Sequence, residues 1–129
     1  MSKKKLFISC PMKGRTEENI RNSMNRMHKI AEIVFDQELE VVIPSYIPNN
    51  APDACIRPVW YLGESIKKLS EADYFIGINY TDYFKGCDTE ARIARNYGIQ
   101  SYFVDMHMFM PDAAEIERNQ YQATACCNG

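Results

Sequence analysis

With 129 residues and a mass of 14.9 kDa, the chain is sized for a single domain over 1–129. Hydrophobic residues make up 46% and charged residues 25%, ordinary globular usage that argues against disorder, collagen and low-complexity architectures. Lys plus Arg number 15 and Asp plus Glu 17, so the formal charge is −2, without the basic surface of a protein that grips a nucleic acid polymer.

Leu6-Phe7-Ile8-Ser9-Cys10, stopped by Pro11, is predicted as a buried first strand. The loop Pro11-Met12-Lys13-Gly14-Arg15 follows. Thr16 is the expected N-cap of a helix, with Glu17 and Glu18 in its first turn. Ile20, Met24, Met27, Ile30, Ala31, Val34 and Phe35 recur at three- and four-residue steps and give that helix its apolar face. Glu40-Val41-Val42-Ile43 is a second strand ended by Pro44, and residues 45–57 read as a long loop. Pro58 opens a second helix with Val59, Leu62, Ile66 and Leu69 on its buried stripe. Residues 73–78 form a third strand, 79–86 a loop, about 88–97 a third helix closed by Gly98, and 100–104 a fourth strand. A final helix is expected over about 112–124, with a frayed tail from about 125.

No stretch approaches the roughly 20 apolar residues of a membrane span, and the N-terminus has no apolar leader core, so a cytoplasmic protein without a membrane partner is expected. The five cysteines include no C-x-x-C pair, and His28 and His107 lie far apart. Neither a disulfide framework nor a bound metal is expected.

Strands alternating with helices predict an α/β protein, with a parallel sheet of four to five strands covered on both faces. Ligands of such sheets bind beyond the C-terminal strand ends, beside the topological switch point. The loops after Cys10, Ile43 and Ile78 should meet there, which makes Asn79 and Gly86, at the two ends of the third of these, candidates for substrate binding.

Glu90 falls in the first turn expected for the third helix, on a stripe with Ile93, Ala94 and Tyr97. Either it is a buried carboxylate kept ionised by the helix dipole for chemistry, or it merely stabilises the helix. Asp88 is a second acidic candidate for catalysis, although its face continues to Arg92 and Arg95, as a cap or an exposed charge would. The loop 11–15 joins a strand to a helix N-terminus, a natural anion site, with Gly14 allowing close approach and Lys13 and Arg15 adding charge. It lacks the glycine spacing of a triphosphate or dinucleotide grip. Tyr80, Tyr83 and Phe84 could stack on a flat base. Trp60, Tyr61 and the Met-rich segment 106–110 read as core or as a contact between copies, so a homo-oligomer, a dimer or a multiple of one, is expected.

Residues 6–14, the segment Pro58-Val59-Trp60-Tyr61-Leu62-Gly63-Glu64-Ser65, Glu71-Ala72-Asp73, Gly86-Cys87-Asp88-Thr89-Glu90 and Tyr97-Gly98-Ile99 occur in an order that resembles a small bacterial and phage family. That family is in turn similar to the nucleoside 2-deoxyribosyltransferase superfamily. The resemblance implies a Rossmann-like or flavodoxin-like three-layer sandwich. It also implies cleavage or transfer at an N-glycosidic bond of a nucleoside or nucleoside 5′-monophosphate, with Glu90 forming a covalent glycosyl intermediate and no cofactor required. By position, Ser9, Pro11, Met12, Lys13, Gly14 and Arg15 would hold the sugar or its 5′-phosphate. Several of those enzymes carry an Asp eight residues before the position of Asp73, where this chain has Ser65. Some place a Tyr where this chain has Phe7. A second reading is a non-catalytic sponge for a nucleotide or a nucleotide-derived signal.

Overall fold

The structure is a computed structural model that describes residues 3–12, 14–42, 51–53, 55–79 and 84–105, with positions 107, 112, 114 and 118. Four strands, β1 (Lys4–Ile8), β2 (Leu39–Val41), β3 (Tyr74–Ile78) and β4 (Gln100–Val104), form one all-parallel sheet in the order β2-β1-β3-β4. Three helices lie between them: α1 (Glu17–Val34), α2 (Arg57–Leu69) and α3 (Lys85–Asn96). This is the α/β arrangement expected from the alternation, and it is Rossmann-like, as the resemblance implies. The chain steps outward from β1 to β2, then crosses back to β3 on the other side. The switch point therefore lies between β1 and β3.

The sheet's two faces carry two apolar clusters. Leu6, Ile8, Ile76, Ile78 and Val104 pack with Met27 and Ala31 of α1. Phe7 and Phe75 pack with Leu69 of α2 and with Ala91 and Ala94 of α3. Alternation along β1 thus assigns odd positions to the α2/α3 face, and Ser9, the next odd residue, continues that row. Gly77 needs its missing side chain, because a Cβ there would lie 2.7 Å from the Phe75 ring and 3.3 Å from the Phe103 ring.

Two side chains fix the register. Asp73 accepts from the Lys5 N–H through Oδ2 and donates its own N–H to the Lys5 carbonyl, both at 2.9 Å, which ties β3 to β1. Glu32 of α1 accepts from the Leu39 N–H at 2.8 Å, which starts β2. Thr16 caps α1 by accepting from the Asn19 N–H at 3.1 Å.

The third helix begins at Lys85, three residues before the expected start at 88. Gly86 is therefore the second residue of α3 and not a loop residue. Glycine has low helix propensity, but that is a weak preference which tertiary packing overrides. The α3 stripe that faces inward is Cys87, Glu90, Ala91 and Ala94, whereas Tyr97 is exposed at the C-cap. Gly98 beyond it has φ +75°, the left-handed conformation that ends a helix without a Cβ penalty. The expected helix over about 112–124 and the tail from 125 fall outside the described residues, apart from positions 112, 114 and 118.

Candidate active site

Ser9 leaves β1 at the switch point, where its N–H donates to the Ile76 carbonyl of β3 at 2.9 Å. Its hydroxyl donates to Glu90 Oε1 at 2.7 Å. From α2, the Ser65 hydroxyl donates to Glu90 Oε2 at 2.6 Å. Three separate elements thus converge on one carboxylate, and both of its oxygens accept a hydrogen bond. Glu90 is only 9% exposed and Ser9 only 1%.

Burial lifts the Glu90 carboxyl above its ordinary range, while the hydrogen bonds from Ser65 and then Ser9 pull it back down. Glu90 is the sixth residue of α3, in the second turn, where the helix dipole has faded. The serines therefore take over the stabilising role that the dipole was expected to play. Cys87, one turn before Glu90, is also buried. Its thiol is pushed up to about 12, first by burial and then by the charges of Glu90 and Cys10, against a hydrogen bond with Ser9. Burial likewise raises the Cys10 thiol, with Arg15 opposing. Neither thiol has the lowered pKa of a nucleophile. Among the described residues no group of three or more His, Cys, Asp or Glu side chains is placed to hold a metal ion.

The structure separates the other candidates. Asp88 does not turn toward Glu90. Its carboxylate pairs with Arg92 Nε at 2.9 Å, one turn on along the outer face of α3.

Arg15 also departs from the expectation of a phosphate-facing cation. Its side chain is 0% exposed, and its guanidinium is fully engaged within the protein. Nε and Nη2 donate to the two oxygens of Asp112 at 2.8 and 3.2 Å. Nη1 donates to the Pro11 carbonyl at 2.9 Å, and Nη2 to Ser23 Oγ at 2.6 Å and to the Asn19 carbonyl at 3.2 Å. Arg15 therefore shapes the loop from within. Asp112, whose side chain is 12% exposed, compensates its charge, which is the condition for burying a guanidinium at all.

Pro11 is buried, Met12 is exposed at the loop surface, and Gly14 has φ +76° with open space where a Cβ would stand. Lys13 lies outside the described residues. Asn79 is exposed at the end of β3, its N–H bonded to the Val104 carbonyl at 2.8 Å. Gly86 is exposed in the first turn of α3. The Ser65–Glu90 contact was legible only as a departure in a residue count. Asp112 carried no sequence signal, since its partner is 97 positions away.

Comparison with known proteins finds no match to a family model, to a curated protein or to a solved structure.

Proposed function

We propose that the chain cleaves or transfers the N-glycosidic bond of a nucleoside or nucleoside 5′-monophosphate, with Glu90 as the group that attacks C1′. The observation that carries this reading is the buried Glu90 carboxylate, held through both oxygens by Ser9 and Ser65 at the β1/β3 switch point. A fixed carboxylate is suited to an oxocarbenium-like centre. It offsets the developing positive charge, and it forms the ester that divides one hard displacement into two easier ones, as in retaining glycosidases. The two serine hydroxyls keep the carboxylate oriented and offset part of the cost of burying its charge. Water completes hydrolysis, and a second base in its place completes transfer. Within this reading Asp88 belongs to the outer face of α3 and does not share the chemistry.

Ser65 favours a second reading, capture of a nucleotide without turnover, because a hydroxyl bound to Glu90 is no strong acid toward a departing base. Incubation with a panel of ribo- and deoxyribonucleotides separates the two. Release of free base by the wild-type protein and its loss in Glu90→Gln supports catalysis, whereas tight binding with intact nucleotide recovered supports capture. No helix among the described residues is long and apolar enough to cross a membrane. A cytoplasmic setting is part of the proposal, supported by the free thiols Cys10, Cys55 and Cys87.

A further inference from the structure

Ser9 is held from two sides, and only one of them is the sheet. Its N–H donates to the Ile76 carbonyl of β3 at 2.9 Å, which fixes the side that continues β1. The two residues that follow it are held by Arg15. Nη1 of that side chain donates to the Pro11 carbonyl at 2.9 Å and reaches Cys10 Sγ at 3.5 Å. The Arg15 N–H closes the turn on the Met12 carbonyl at 3.1 Å. Asp112, from beyond β4, accepts from Nε and Nη2 of the same guanidinium at 2.8 and 3.2 Å. A continuous set of contacts thus leads from Asp112 through Arg15 to Cys10 and Pro11. One peptide bond further back is Ser9, whose hydroxyl donates to Glu90 Oε1 at 2.7 Å.

A planar fork that meets a carboxylate through two nitrogens is fixed in orientation as well as neutralised in charge. Without Asp112, the Arg15 side chain, 0% exposed, carries an uncompensated charge and has to turn toward water. The turn over 10–12 then loses the donor that holds it. Ser9 keeps its bond to β3 but loses the fixed direction of the chain after it. A hydrogen bond weakens steeply as its angle departs from linear, so the contact with Glu90 suffers first.

We propose that Asp112 and Arg15 are positioning residues of the Glu90 site, acting through the turn 10–12 on the Ser9 hydroxyl. The proposal rests on the reading above for the role of Glu90. It concerns how that carboxylate is held, whatever it attacks.

The test follows the side-chain carboxyl titration of Glu90 by carbon NMR on the full chain, with the signal assigned by its loss in Glu90→Gln. Burial, Ser65 and Ser9 set this carboxyl. Cys87, buried beside it, is pushed up to about 12 and so stays uncharged over the range titrated. Outright loss of a hydrogen bond to a charged group raises a carboxyl pKa by about 1–2 pH units, so Asp112→Asn should raise that of Glu90 by at least about half a pH unit. Removal of a negative charge acting only through space would lower it instead, so the sign separates the two causes. In a Ser9→Ala background, Asp112→Asn should produce no further rise. Should Asp112→Asn fail to fold, Asp112→Glu keeps the charge and displaces the fork by one methylene, and the same pair of titrations on it decides. A Glu90 titration that is unchanged or lowered, or a rise that persists in Ser9→Ala, overturns the proposal and leaves the glycosidic reading standing. Absence of base release from any nucleotide would overturn the glycosidic reading, while the titration still decides whether Asp112 positions Glu90.

Discussion

Glu90 is an expensive residue for the fold, and that cost is measurable. Its carboxyl titrates above its ordinary value because burial disfavours the charged form, and the two serine hydrogen bonds only partly offset this. A carboxyl with a raised folded-state pKa favours the folded state most below its unfolded pKa. That contribution is lost as pH rises through the folded value. Urea unfolding of the wild-type protein and of Glu90→Gln should therefore diverge with pH. The wild type should lose ground relative to the variant as pH climbs from the ordinary carboxylate range toward neutrality. A difference that stays flat across that range would mean that Glu90 is not desolvated. Ser65→Ala removes one hydrogen bond to a charged group, a contact worth about 1.5–3 kcal/mol. It should raise the Glu90 pKa further, seen as an upward shift of its side-chain carboxyl titration by carbon NMR.

At the scale of elements, the β1–α1 loop is held by Arg15, and Arg15 is held by Asp112 from the segment beyond β4. Removing one partner of a buried pair strands the other charge, at a cost of about 3–5 kcal/mol. Asp112→Asn should lower unfolding stability by that order in urea titrations. Arg15→Lys should not preserve stability, because an ammonium lacks the planar fork that meets Asp112 through two nitrogens. A loss below about 1 kcal/mol in Asp112→Asn, the size typical of an exposed pair, would contradict the buried latch.

The same elements show what sequence reasoning reaches. Periodicity reveals α1, which buries one face, while the strands show as short apolar runs, because the parallel sheet is covered on both faces. It also places Glu90 on the inward side of α3, since the residues after it keep the helical step. The start of α3 escapes it, because Gly86 resembles a loop residue until packing of Cys87 and Phe84 extends the helix. Arg15 illustrates a deeper limit. A basic residue after a glycine in a strand–helix loop signals an anion site, and only the tertiary contact with Asp112 reveals that its charge is already satisfied. Ser9 and Ser65 are 56 positions apart in number and share Glu90 only because β1, α2 and α3 meet at one edge of the sheet.

At the scale of the whole molecule, α2 leaves apolar surface uncovered. Leu69 is the one residue of α2 that is fully buried, while Ile56 at its N-cap is 72% exposed and Val59 62%. Val59, Leu62 and Ile66 line a groove of about 520 Å³ that runs toward Thr89 of α3. Surface of this kind suits self-association, so light scattering at micromolar concentration should give the mass of a homodimer or a multiple of it. Val59→Lys should shift that mass toward the monomer. A monomeric wild-type mass would contradict the assignment of this face.

The proposed covalent step would give the buried carboxylate, its two serine partners and the switch-point location a single function. The decisive measurement is the intact mass of the protein after rapid acid quench of a reaction with a cleavable nucleotide. Wild-type protein should gain the mass of one sugar or sugar phosphate, mapped by peptide digestion to Glu90, and Glu90→Gln should gain none while still binding the nucleotide. Base release by the wild type with no adduct at any quench time, or undiminished release by Glu90→Gln, would contradict Glu90 as the nucleophile.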